Sequence, residues 1–122
     1  MKLLDSLYFV ESKTPAEGGW LYALRMNAEC VIYKAHFPGK PITPGVCLVQ
    51  AGVELLSDAS STNLTLCCAN NVKFLGILHP DSPLIQVRIH KISEADGFTK
   101  ARIDIESDGR PIAKMSLTCR RK

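Results

Sequence analysis

The 122-residue chain has no C-x-x-C pair, no glycine-rich phosphate loop, no basic stripe interleaved with aromatics, and no apolar run near the roughly 20 residues that a bilayer span requires. Each absence excludes something. The cysteines, Cys30, Cys47, Cys67, Cys68 and Cys119, are odd in number and lack metal-ligand spacing, which argues against a disulfide framework and against a zinc site. They read instead as small buried hydrophobes in a reducing cytoplasm, with Cys47 lining a pocket. No nucleotide cofactor, and no cofactor of any kind, is implied. Net charge is +3, yet the only basic run is Arg120-Arg121-Lys122, so nucleic acid is not an expected partner. Met1 to Val10 is apolar but carries Asp5 early and has no small-residue cleavage site, so it reads as mature structure rather than a signal peptide.

What is present fits one globular domain over residues 1–122, with 46% hydrophobic and 22% charged residues. Its organising stretch is His36-Phe37-Pro38-Gly39-Lys40-Pro41-Ile42-Thr43-Pro44-Gly45. Three prolines and two glycines there exclude a helix or a central strand and require a shaped loop. The apolar, proline-free residues that follow predict a helix from about Pro44 to Asp58, with Thr43 as cap and Pro44 in its first turn. A histidine on a stiff loop that feeds a helix N-terminus is well placed to work beside backbone N–H groups that polarise a carbonyl.

In chain order, Leu3 to Leu7 suggests a helical turn, Tyr8 to Val10 a short strand, Lys13 to Gly19 a turn and Trp20 to Met26 a strand. Asn27 to Ala35 is less regular, and residues 57–63 form a polar exit from the helix. Beyond residue 63 the pattern is strand. Leu64 to Phe74 carries Leu64, Leu66, Cys68, Val72 and Phe74 in even register, which predicts one buried face broken near Asn70-Asn71. Cys67 and Cys68 would then point to opposite faces. After a turn at residues 79–83, Leu84–Ile92, Phe98–Glu106 and Ile112–Cys119 form a meander joined by Asp96-Gly97 and Asp108-Gly109 turns. The expected class is α+β, a curved antiparallel sheet of five to six strands wrapped around one long apolar helix. That helix is apolar nearly all round, Val46 included. Its exception is a polar stripe at Cys47, Gln50, Glu54 and Asp58, spaced three and four apart.

His36-Phe37-Pro38-Gly39, then Pro41, then Pro44-Gly45-Val46 and an apolar helix, resembles the hotdog-fold (3R)-hydroxyacyl-[acyl-carrier-protein] dehydratases of fatty-acid synthesis. Lys73-Phe74 followed by Pro80-Asp81 and Leu84 is similar to a second segment of that family, and the resemblance extends over nearly the whole chain. It implies a hotdog fold and subunits that pair sheet edge to sheet edge, as a dimer or an assembly of dimers, with each site drawing on both chains. The family's histidine falls on His36, and the amide that holds the thioester carbonyl falls near Gly45 and Val46. Phe37 and Phe74 join the substrate-binding set. The family's catalytic carboxylate would fall at position 50, which here is Gln50; one turn on, where glutamine is usual, stands Glu54. The pair looks exchanged.

Dehydrating a 3-hydroxyacyl thioester requires a base for the proton beside the carbonyl, donors for the enolate oxygen and an acid for the departing hydroxyl. A neutral amide can hydrogen-bond that hydroxyl but cannot protonate it. Glu54 lies about 6 Å further along the helix face, by a rise of roughly 1.5 Å per residue. The expectation is therefore that Glu54 acts as the acid while Gln50 positions the hydroxyl or a water. The competing readings are a hotdog thioesterase and a non-catalytic acyl-binding or partner subunit, with Glu54 salt-bridged at a dimer seam. His79 and His90 read as surface residues. The substrate would arrive on an acidic acyl carrier protein, met by Lys40 with Arg88 or Lys91, or on coenzyme A.

Overall fold

The computed structural model describes residues 2–35, 39, 41–82 and 84–122, so His36, Phe37 and Lys40 lie outside the described residues. Six strands form one antiparallel sheet: β1 (Tyr8–Ala16), β2 (Gly19–Met26), β3 (Leu64–Phe74), β4 (Ile85–Ala95), β5 (Phe98–Ser107) and β6 (Arg110–Arg121), in spatial order β1-β2-β4-β5-β6-β3. A short helix α1 (Val31–Ala35) precedes the proline-rich loop, and the long helix α2 (Gly45–Ser60) lies across the sheet. This is the hotdog arrangement.

Alternation builds the core. Ile85, Val87 and Ile89 of β4, Ala101, Ile103 and Ile105 of β5, and Ala113, Met115 and Leu117 of β6 are buried on the helix side, with Arg88, Lys100, Arg102 and Lys114 on the other. Against them α2 buries Cys47, Leu48, Ala51, Val53, Leu55 and Leu56. The space between helix and sheet is filled to a residual void of about 10 Å³. The two Asp-Gly hairpin turns place positive φ at both central residues, Asp96 (55°) with Gly97 (82°) and Asp108 (51°) with Gly109 (79°), the conformation their sequences favour.

Several expectations are corrected. β1 runs on to Ala16 instead of stopping at Val10; it is an edge strand, where Pro15 costs no ladder bond on the open side. Val31–Ala35 is helical. Thr43 does not cap α2: the N-cap residue is Pro44, with no side-chain cap, while the Thr43 hydroxyl pairs with the buried Tyr33 hydroxyl at 2.8 Å. Val46 is 70% exposed, so on its side the first turn of α2 is not covered by the described residues. On β3 the even face is not buried: only Leu64 is, because register shifts at Leu66/Cys68 and Asn70/Lys73 reset the alternation twice on the other edge strand. The turn at Leu3 to Leu7 is present, with the Leu7 N–H donating to the Leu3 carbonyl at 2.7 Å.

The same shifts overturn part of the cysteine reading. All five thiols are free, but Cys67 and Cys68 are exposed while Cys30, Cys47 and Cys119 are buried. Burial pushes the Cys119 thiol up to about 11 and raises Cys47 as well, with Cys30 adding a smaller effect on the latter. Timed alkylation followed by mass spectrometry is therefore expected to leave Cys30, Cys47 and Cys119 unmodified in the native protein and to label all five once it is unfolded. Labelling of Cys47 in the folded state at the rate of an exposed thiol would contradict the packing of α2.

Candidate active site

The start of α2 assembles three of the residues expected at the site. A Cβ on Gly45 would lie 2.7 Å from Cζ of Phe74, so the phenylalanine ring rests directly on the helix's first residue and would have to swing aside for a larger one. Phe74 is 54% exposed. The approach is fixed from below. The Thr43 N–H donates to the Leu78 carbonyl at 2.9 Å, which ties the end of the loop to the segment after β3. By position, the N–H groups of Gly45 and Val46 belong to the first-turn donors that a helix cannot satisfy internally, and no acidic residue occupies that turn.

Further along α2, the polar stripe borders a groove of about 600 Å³, lined by Lys2, Leu4, Gln50, Glu54, Asp58, Asn63 and Lys122 among others. Gln50 and Glu54 meet, with Gln50 Nε2 donating to Glu54 Oε2 at 2.9 Å. The carboxylate takes three further bonds: from the Leu3 N–H to Oε2 at 2.7 Å, from the Leu4 N–H to Oε1 at 2.8 Å and from the Tyr8 hydroxyl to Oε1 at 2.9 Å. Glu54 therefore sits in a cradle that joins α2 to the N-terminal turn and β1. Tyr8 is 1% exposed, and its hydroxyl is held well above the ordinary tyrosine range by burial first, then by the Glu54 charge. Cys47, at the head of the stripe, is buried and faces the core instead of the groove.

One turn beyond, Asp58 repeats the pattern. The Tyr22 hydroxyl donates to Asp58 Oδ2 at 2.6 Å, and Lys13 Nζ approaches the same oxygen at 3.1 Å while lying 4.4 Å above the Trp20 ring. The Tyr22 bond is the largest effect and holds the Asp58 carboxyl below its ordinary value; desolvation opposes it, and Lys13 adds a smaller lowering by hydrogen bond and charge. A carboxyl lowered in the folded state contributes stability that is present above its unfolded value and lost as pH falls through the folded one. Asp58→Asn is thus expected to lower Tm by about 2–4 °C at neutral pH and to flatten the decline of Tm below the normal carboxylate range. A thermal-melt series against pH checks it; an unchanged acid slope would contradict the assignment.

Sequence reading found the stripe but missed Tyr8, Tyr22 and the Leu3 and Leu4 amides. The available signal was two tyrosines in strands flanking a helix with a polar face, since a buried tyrosine hydroxyl normally finds a partner. His90 is also corrected: its side chain is partly buried and its Nε2 lies 3.0 Å from Asp104 Oδ2 on the adjacent strand. His79 stays exposed, with Nδ1 at 3.3 Å from the Pro41 carbonyl oxygen.

A family described as ApeI-like, ApeI dehydratase, matches residues 12–110. The chain is 25% identical over 123 aligned positions to the 3-hydroxyacyl-[acyl-carrier-protein] dehydratase FabZ of Pasteurella multocida (strain Pm70), spanning 87% of this chain and 75% of that protein. Among solved structures, the dehydratase heterocomplex ApeI:P from Xenorhabdus doucetiae superposes with a TM-score of 0.74 at 18% identity, covering 93% of this chain and 97% of that one. A hypothetical thioesterase from Streptococcus pneumoniae, solved with coenzyme A, gives 0.65 at 11% identity, covering 94% and 85%. The structural likenesses establish the fold.

Proposed function

This chain belongs to the ApeI-like dehydratase family, and from that premise we propose that it eliminates water from a 3-hydroxyacyl thioester to give the trans-2-enoyl thioester. His36 takes the proton from C2. The first-turn amides at Gly45 and Val46 hold the thioester carbonyl as negative charge develops on its oxygen. The C3–O bond breaks as a proton from Glu54 reaches the departing hydroxyl, directly or through one water, with Gln50 holding that hydroxyl. A double bond forms between C2 and C3, one water leaves, and proton exchange with solvent through the groove resets His36 and Glu54.

The observation that carries this reading is the hydrogen-bonded Gln50–Glu54 pair at 2.9 Å on the border of a 600 Å³ groove, along the same helix whose first turn carries Gly45 and Val46. Phe37 and Phe74 would flank the acyl group. Because the helix–sheet interior is filled, the acyl chain lies outside the core, against surface that a second subunit would complete; the 70% exposure of Val46 and the open β3 edge support pairing of two copies. The thioester would be borne by an acyl carrier protein or coenzyme A. Five free thiols support a cytoplasmic setting.

The test follows enoyl formation and free-thiol release together on a 3-hydroxyacyl thioester. Enoyl product without thiol release supports the proposal. Thiol release alone would establish a thioesterase, and the absence of both would establish a binding or partner subunit.

A further inference from the structure

Three of the four groups in the Glu54 cradle, the Leu3 and Leu4 amides and Gln50 Nε2, present N–H bonds and have no lone pair to offer. They hold a carboxylate but give nothing to a carboxyl proton. The fourth, Tyr8, differs in kind: its hydroxyl donates to Glu54 Oε1 at 2.9 Å, and by rotating about its C–O bond it can accept a hydrogen bond from that same oxygen. Gln50 could accept only by turning its whole amide over and giving up its present bond.

We infer that Tyr8 is a positioning residue for proton transfer, the one cradle partner among the described residues that can both donate to Glu54 and accept from it, so that Glu54 alternates between carboxylate and carboxyl without leaving its cradle. The inference rests on Glu54 acting as the acid. While Glu54 rests protonated, Tyr8 accepts from its O–H; that O–H then swings from Tyr8 to the leaving hydroxyl, and as the proton passes Tyr8 turns and donates to the new carboxylate. Packing of Tyr8 against the core fixes the position of its oxygen. Among the described residues, the other charged groups around Glu54 are Lys2 and Lys122, which line the same groove, Asp58 one turn along α2, and Asp5 of the N-terminal turn near Tyr8.

The experiment compares pH profiles of kcat and KM for the wild type, Tyr8→Phe and Glu54→Gln on one 3-hydroxyacyl thioester, with circular dichroism to check folding. A charge-assisted hydrogen bond is stronger than a neutral one, so losing the hydroxyl harms the carboxylate more than the carboxyl. Tyr8→Phe is expected to lower kcat by roughly tenfold, to leave KM nearly unchanged and to move the limb that Glu54→Gln abolishes upward by about one pH unit. Replacing Tyr8 with a ring-fluorinated tyrosine, which retains packing and strengthens the donor, is expected to move that limb downward; it decides the matter if Tyr8→Phe fails to fold. Unshifted limbs in the folded variants, with Glu54→Gln inactive, would overturn the role of Tyr8 and leave the dehydratase reading standing. A Glu54→Gln protein with wild-type activity would overturn both.

Discussion

Glu54→Gln is expected to reduce enoyl formation by about 10²–10⁴-fold, the usual contribution of a positioned general acid. The substitution is nearly isosteric, so it removes the transferable proton while retaining side-chain volume. Its local cost is specific: the new amide would direct N–H bonds toward a cradle made of donors, and at least one of the contacts to Leu3, Leu4, Tyr8 or Gln50 must give way. A lower Tm is therefore expected alongside the activity loss. The two effects separate kinetically, because the C2 proton of the substrate should still exchange with deuterated solvent while His36 is intact. Undiminished elimination in a folded Glu54→Gln protein would end the acid assignment and leave the family membership untouched.

His36→Ala is expected to cost a similar factor, about 10²–10⁴-fold, and to abolish the C2 exchange as well, since His36 is the base in the proposed mechanism. The contrast between the two variants is the sharper measurement. Exchange without elimination in Glu54→Gln, and neither in His36→Ala, assigns base and acid to different residues. If His36→Ala retained full exchange, the loop histidine would not be the base, and the proline-rich segment would be read as a structural entrance to α2 only.

Much of this protein was legible in its residues. The β4–β6 meander and the single long helix followed from period-2 and apolar patterning, and the two Asp-Gly turns from their local chemistry, whereas the expectation for His36 falls outside the described residues. Where reading failed, a nonlocal effect had won. β3 carries a respectable alternation, but it lies at the sheet edge and two bulges shift its phase, which exposes Cys67 and Cys68. Thr43 looks like a cap, yet a tyrosine from α1 claims its hydroxyl.

The exchanged pair shows the division most clearly. Sequence alone determined that Gln50 and Glu54 share one helix face, because helical periodicity places residues four apart on the same side. It also determined that the chemistry at position 50 cannot be that of a carboxylate. Only the tertiary structure decided what surrounds Glu54: the chain's first turn folds back over α2 and brings the Leu3 and Leu4 amides to it, and β1 brings the Tyr8 hydroxyl. Those partners lie some fifty residues away along the chain, and hydrogen bonds of such separation leave no periodic trace for a sequence to display.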